Sequence, residues 1–464
     1  SFAVRYFSCH AGVCVTASHN PPDYNGYKVY WQTGGQIIPP HDKAVIEEYA
    51  QITSYSEIPR LAWDEALSKG LIREVGPELD EAYFKKIEDF CFKPGVGRKN
   101  FKIVYTPLHG SGLGPVTEGL RRFGFENVLV VPEQSRPDGN FPTVKFPNPE
   151  DPEALAMAID LARRENADLV LGTDPDTDRI GIVVREGQDF VILNGNQIGC
   201  LLTDWVLSGT KATGRMPANP LVIKTIVTTE MQAAIARHWG AFCEDTLTGF
   251  KWICDRVEQY ESGQIKPKRT YVCGGEESYG FLAGTFVRDK DAVSACCIAA
   301  EMVACLKSEG KTLSQRLDEL FQEHGLWLES LHTLTMPGKE GAEAIKRMMG
   351  RMRSSPPAAI DGVPVTRLLD FELRQEFVVK NGRPEKANDL QLPRSDVLQF
   401  ILHDGTRVSV RPSGTEPKIK FYVSVCEASA KGASIAEIQK LKAGCRERLK
   451  RIEATFVALA HEAP

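Results

Sequence analysis

Short β-rich runs alternate with helical patterns along most of this 464-residue chain, and that alternation confines it to layered α/β architectures. Residues 12–16 read as a strand entering a polar loop at 17–26, with helical patterns at 44–52 and 78–92 and a turn-rich basic linker at 92–100. A second α/β unit follows: strand 101–105, helix 114–123, strand 128–131, a Pro/Asn-rich loop, helix 152–165 and strand 168–171. A third runs from about 201 to 325, with strands at 221–226 and 271–273 and helices at 230–239, 250–260 and 291–307. The pattern then changes. Residues 397–402, 407–410 and 419–425 alternate as antiparallel strands do, and a long charged helix follows at 435–459. The expected domains are α/β units at 1–92, 93–200 and 201–325 and a smaller α+β domain at 326–464.

Composition narrows the function. The formal net charge is −5, with 56 basic and 61 acidic residues interspersed, which argues against a nucleic-acid or anionic-membrane surface. It does not argue against a phosphorylated substrate, because screening confines charge effects to roughly 8 Å. The apolar run 295–305 is broken by Glu301 and reads as a buried helix, well short of a membrane span. Twelve cysteines without framework spacing read as reduced thiols of a cytoplasmic protein, and residues 1–10 lack a secretory pattern. Oligomeric state is not readable.

Four motifs carry chemistry. Asp174-Pro-Asp176-Thr-Asp178-Arg179 follows an apolar strand. Carboxylates at alternate positions of a curved loop can converge on one hard cation, and an all-oxygen set suits Mg²⁺. A solvated acidic turn is the alternative. An EF-hand fits poorly, since Arg179 and Arg185 replace its Gly and Glu, as does an aspartyl phosphatase, which wants Thr or Val at Asp178. Thr16-Ala-Ser18-His19-Asn20-Pro21 puts a hydroxyl at a strand end beside a basic side chain, suited to accept and give away a phosphoryl group; a turn or capping serine is the other reading. Lys28 can return over this loop as phosphate ligand or proton acceptor, or be an exposed lysine.

The third motif, residues 274–280 (GGEESYG), offers carboxylates and a hydroxyl to sugar hydroxyls from a Gly-flexed loop, with Arg288 and Lys290 close behind to meet a phosphate; a polar connection is the alternative. The fourth is Arg411-Pro-Ser413-Gly414-Thr415-Glu416-Pro417-Lys418. Its guanidinium, hydroxyls and backbone N–H groups make a phosphate clamp or a plain hairpin turn. Gly110-Ser-Gly112-Leu-Gly114 lacks the last glycine of a dinucleotide fingerprint and reads as a tight turn, with His109 structural.

In their order and spacing, TASHNP, DPDTDR, GGEESYG and RPSGTEPK resemble the α-D-phosphohexomutase superfamily, within its phosphoglucomutase/phosphomannomutase branch. Thr248-Gly249-Phe-Lys251 and residues 286–291 (FVRDKD) resemble its glucose-type bacterial members and relatives active on pentose phosphates. The resemblance implies three related α/β units and a C-terminal α+β domain around a central cleft. In the family the first unit begins well upstream of the serine loop and supplies a basic, Gly-containing motif; that half is expected to be missing here, leaving the first unit incomplete. Ser18 would be the phosphoserine and would bind Mg²⁺ with Asp174, Asp176 and Asp178, while Arg179 assists the transferring group. Glu276 and Ser278 would hold sugar hydroxyls, with Thr248, Gly249, Lys251 and Arg288 as further substrate contacts. Arg411, Ser413, Gly414, Thr415 and Lys418 would grip the non-reacting phosphate. His19, Lys28 and Lys290 are candidates for proton transfer or phosphate contact.

The implied reaction interconverts glucose 1-phosphate and glucose 6-phosphate through a phosphoserine, with Mg²⁺ and glucose 1,6-bisphosphate as activator and intermediate. Mannose or pentose phosphates are alternative substrates, synthesis of glucose 1,6-bisphosphate is an alternative reaction, and a non-catalytic sugar-phosphate-binding protein is the reading from another class.

Overall fold

A computed structural model describes residues 1–380, 383–413 and 417–461, the last three by backbone only. The chain falls into two compact units. One comprises Ser1–Ile198, Trp205–Leu221 and Gly249–Gly310, and the other comprises Gly199–Asp204, Val222–Thr248 and Lys311–Pro464.

The first unit opens on helix α1 (Phe2–Tyr6) and an antiparallel hairpin of β1 (Ala11–Val15) and β2 (Tyr27–Trp31), whose connection carries Ser18. Helices α2 (His41–Gln51), α3 (Trp63–Ser68) and α4 (Pro77–Glu88) follow. A five-stranded sheet comes next, built from β3 (Lys102–Thr106), β4 (Asn127–Val130), β5 (Leu169–Thr173), β6 (Ile180–Glu186) and β7 (Asp189–Ile192) in the order β4-β3-β5-β6-β7. Pairs β3–β4 and β3–β5 are parallel, whereas β5–β6 and β6–β7 are antiparallel. Helices α5 (Leu113–Arg122) and α6 (Pro152–Glu165) connect its strands. Local sequence sets both ends of α6: Asp151 caps the Glu153 amide, Pro152 stands in the first turn, and Asn166 ends the helix at φ 55°. Its Ala154, Leu155, Ala158, Ile159 and Ala162 stripe is buried, and most of it packs on Val104, Val170 and Val183 of the sheet. The all-buried β5 reads as a continuous apolar run because both its faces are covered.

Helix α7 (Gly195–Ala212) leads to β8 (Pro220–Thr225), α8 (Glu230–His238) and β9 (Phe242–Thr246). Then come α9 (Phe250–Glu261), β10 (Thr270–Glu276), β11 (Gly280–Ala283) and α10 (Ala292–Ser308). Helix α10 is buried from Ala292 to Leu306, as its small apolar residues require. Glu301 survives there because Arg98 (3.1 Å), the Phe92 and Lys93 amides and the Trp205 indole all donate to it. The 92–100 segment is thereby fastened to α10.

The second unit continues with α11 (Leu313–His324), β12 (Leu326–Thr335), α12 (Gly338–Ser354), β13 (Ala359–Ile360), β14 (Val363–Asp370), β15 (Gln375–Lys380) and β16 (Arg383–Asp389). It ends with β17 (Leu398–Leu402), β18 (Arg407–Pro412), β19 (Lys418–Glu427) and α13 (Ile435–His461). Its sheet is eight-stranded, in the order β12-β19-β18-β17-β14-β15-β16 with β13 paired to β14. The antiparallel trio β17, β18 and β19 matches the sequence expectation. Strands β12 to β16 were not anticipated. The RPEKAND residues of β16 are exposed throughout and carry no apolar alternation. Helix α13 packs on this sheet through Phe456, whose ring lies 5.4 Å from Phe421.

Candidate active site

The six-residue connection between β5 and β6 is closed by the Thr173–Ile180 pair and holds Asp174 to Arg179. Two backbone amides, of Asp178 and Arg179, each donate 3.0 Å bonds to Asp174 Oδ1, and Thr177 takes φ 58° to complete the curl. One oxygen of each of Asp174, Asp176 and Asp178 then lies within 4.8 Å of the others. That spread suits one cation with oxygen ligands at roughly 2.1 to 2.6 Å. Asp176 Oδ1 and Asp178 Oδ1 are buried without a hydrogen-bond partner among the described residues. Three converging carboxylates, two of them with an orphaned oxygen, fit a hard divalent ion such as Mg²⁺.

Ser18 reaches this cluster from the β1–β2 connection. Gly26 lies so close to the Thr16 carbonyl that a Cβ would come within 1.9 Å of it, and the Ser18 amide bonds Thr16 Oγ1 at 2.9 Å. Ser18 itself takes φ 54°, a left-handed conformation that is costly for a non-glycine residue. Its Oγ donates to Asp174 Oδ2 at 3.2 Å and lies 3.1 Å from His19 Nδ1. Two lysines converge on the same loop. Lys28 Nζ bridges Asp176 (2.6 Å) and Asp178 (2.8 Å), and Lys290 Nζ lies 3.1 Å from Asp178, 3.6 Å from Asp289 and 4.0 Å from Glu276.

The charges act on one another. Burial and the Asp178 and Asp176 carboxylates push Asp174 well above the usual carboxylate range. Burial pushes Asp178 the same way, but Lys290, Lys28 and Arg179 outweigh it and hold the carboxylate low. Burial alone would lower Lys28 and Lys290, yet Asp178 and its acidic neighbours raise both. His19 is lowered to about 3 by burial and by the Arg179, Lys290 and Lys28 cations, which leaves its imidazole neutral near pH 7.

Sequence-derived candidates fall into groups. Ser18, His19, Lys28, Asp174, Asp176, Asp178, Arg179, Glu276 and Lys290 are linked as described, all in the first unit. Residues 274–276 are not a flexed loop but the end of β10, so Glu276 is buried, and Ser278 lies in the tight turn to β11. Gly280 is required there, because a Cβ would come within 2.1 Å of Lys290 Cδ. Arg288 is buried with its guanidinium committed to Glu261, Glu258 and the Thr285 carbonyl, so it braces its loop rather than projecting from it. Gly249, at φ 112°, precedes α9, which carries Lys251. Thr248, Arg411, Ser413 and Lys418 belong to the second unit, where the Ser413 amide bonds the Lys418 carbonyl at 2.8 Å. Gly414 and Thr415 lie outside the described residues.

Four contributors escaped the sequence reading. Glu150 pairs with Arg179 at 2.5 Å, and Asp289 accepts 2.8 Å bonds from Tyr30 and Gln36. Gly110 and Ser111 brace the aspartate loop: the Ser111 amide bonds the Pro175 carbonyl at 2.8 Å, and a Gly110 Cβ would come within 2.3 Å of Pro175 Cα. The Gly-Ser-Gly turn was the available signal. His109 bonds Thr143 at 2.8 Å.

Four family models match the chain: phosphoglucomutase/phosphomannomutase alpha/beta/alpha domain I over residues 1–56, domain II over 81–187, domain III over 194–324 and the C-terminal domain over 370–441. A phosphoglucomutase of Staphylococcus epidermidis is 36% identical over 429 residues, 92% of this chain and 75% of that protein. Among solved structures, a phosphoglucomutase/phosphomannomutase family protein from Burkholderia thailandensis superposes with TM-score 0.59 at 18% identity, covering 97% of this chain and 81% of that one. Parafusin, a phosphoglucomutase from Paramecium, gives TM-score 0.61 at 18% identity over 98% and 81%. The two structures attest the fold.

Proposed function

Because the chain belongs to the phosphoglucomutase/phosphomannomutase family, we infer that it is a phosphoglucomutase, an isomerase that moves a phosphoryl group between the 1- and 6-hydroxyls of glucose. The observation that carries this reading is the Ser18 hydroxyl on Asp174 at 3.2 Å, across 156 positions of sequence. Phosphorylated Ser18 donates to the free hydroxyl of a glucose phosphate, and the resulting glucose 1,6-bisphosphate returns its other phosphate to Ser18. Asp174, Asp176 and Asp178, with the serine phosphate, would hold Mg²⁺. The ion would supply charge neutralisation, the main demand of phosphoryl transfer. Arg179, Lys28 and Lys290 add positive charge around the transferring group, and the convergence of both lysines on the aspartate loop supports phosphate contact as their role. Neutral His19 keeps the Ser18 hydroxyl in a defined hydrogen bond. Glu276 and Ser278 take sugar hydroxyls, with Thr248, Gly249 and Lys251 alongside. Arg411, Ser413, Gly414, Thr415 and Lys418 take the non-reacting phosphate. The division at 1–92, 93–200, 201–325 and 326–464 remains our reading of the domains. Among the described residues no helix is long and apolar enough to cross a membrane. Twelve unbridged cysteines support a reducing, cytoplasmic setting.

A coupled assay for glucose 6-phosphate, with Mg²⁺ and trace bisphosphate, tests the reading against mannose and ribose phosphates run in parallel. Ser18→Ala abolishes turnover and removes the one-phosphate mass increment that the wild type shows. Retained turnover in that variant rules out the covalent route.

A further inference from the structure

Gly172 and Gly181 pair across β5 and β6; Pro149 packs where a Gly181 side chain would stand, and Leu155 does the same at Gly172. A Cβ on Gly181 would come within 2.8 Å of Pro149 Cβ and 3.1 Å of its carbonyl oxygen. The turn is also locked from within. Asn148 Oδ1 accepts the Glu150 amide at 3.2 Å, and the Asn148 carbonyl accepts the Asp151 amide at 3.0 Å. Glu150 is thereby anchored where its Oε1 meets Arg179 Nη1 at 2.5 Å, in a pair whose side chains are only 29% and 14% exposed.

Arg179 has a closer-at-hand alternative on its own loop. Its Nε lies 3.9 Å from Asp174 Oδ2, too far for a hydrogen bond, and that Nε is buried with no hydrogen-bond partner among the described residues. Asp174 Oδ2 is the same oxygen that accepts from Ser18. A buried guanidinium deprived of one carboxylate takes the nearest other. Removing Glu150 would therefore drop Arg179 onto Asp174, costing both the serine's acceptor and a cation ligand. We propose that Glu150 is a positioning residue: anchored through Pro149 against Gly181, it holds the Arg179 guanidinium off Asp174 and leaves its Nε edge free for the transferring phosphoryl group. The proposal rests on reading Ser18 as the phosphoryl donor and Arg179 as its assistant.

A double-mutant cycle tests it. Glu150→Ala lowers kcat on glucose 1-phosphate by on the order of 100-fold, the scale of a 1 Å misplacement, and leaves KM nearly unchanged. In an Arg179→Ala background the same change costs nothing further. Glu150→Gln, which keeps an acceptor for the guanidinium, restores part of the rate. Calorimetric titration with Mg²⁺ supplies a readout independent of turnover: Glu150→Ala weakens binding when Arg179 is present and not when it is alanine. Losses that multiply across the cycle, or Mg²⁺ affinity equal in wild type and Glu150→Ala, overturn the positioning role. A wild type inactive on every hexose phosphate would sink the mutase reading instead, and the titration would still judge Glu150.

Discussion

At the scale of single residues, the aspartates of the 174–179 loop do unequal work. Asp174 is fully buried and spends one oxygen on two backbone amides and the other on Ser18, so it builds the loop as well as the site. Asp176 and Asp178 each keep an oxygen without a partner among the described residues, and Lys28 holds the other. Asp176→Asn should therefore leave the loop's backbone intact while removing one anionic ligand and one contact of Lys28. Mg²⁺ affinity measured by titration is expected to fall by at least about tenfold, the loss typical even when only a group hydrogen-bonded to a metal ligand is removed, with kcat falling alongside. An unchanged metal titration would remove Asp176 from the ligand set. Asp174→Asn is a poorer test, since it disturbs the loop and Ser18 together.

At the scale of elements, glycines let one segment lie against another. Gly110 comes within contact of Pro175, and its Cβ would meet backbone rather than a movable side chain. Gly110→Ala should displace the aspartate loop at about 1 to 3 kcal/mol of stability, read as a lower denaturation midpoint together with weaker Mg²⁺ binding; full metal affinity would show that the loop does not depend on this brace. In the second unit, Glu329 on β12 faces Ser424 across β19, and burial raises its pKa to about 7 against 4.5 in an open chain. The raised value means the folded state keeps its proton while the unfolded state loses it. Stability from this group is complete below about pH 4.5 and is lost as pH rises through 7. Glu329→Gln should stabilise the protein by about 2 to 3 kcal/mol above pH 7 and by nearly nothing at pH 4, checked by chemical denaturation at both values. Part of this was legible in sequence: apolar strands ending in polar loops marked Ser18, the 174–179 segment, Glu276 and Lys290, which the structure brings together, and α10 followed from its apolar content. Strand β16 was not, because its exposed, charged RPEKAND residues show no apolar alternation. Nor was Glu150, whose turn is placed by the packing of Pro149 against Gly181, a tertiary contact that no local pattern announces.

At the scale of the whole molecule, the groups assigned to chemistry and to anchorage are divided between units. Ser18, the three aspartates, Arg179 and both lysines belong to the first, whereas Arg411, Ser413 and Lys418 belong to the second. A chain of net charge −5 must draw a sugar phosphate to local cations rather than to its overall field. A non-reacting phosphate gripped equally in substrate and transition state contributes to affinity more than to the rate of transfer. Arg411, near the end of β18, offers a guanidinium, and a hydrogen bond to a charged group contributes about 1.5 to 3 kcal/mol. Arg411→Ala should accordingly raise KM for glucose 1-phosphate by roughly 10- to 100-fold, with a much smaller change in kcat. Spontaneous loss of phosphate from Ser18 to water, followed by intact mass without sugar present, should be unaffected, because that step needs only first-unit groups. A variant with normal KM, or one in which water-driven phosphate loss changes as much as turnover, would show that Arg411 serves the fold or the transfer step and not the substrate's resting phosphate.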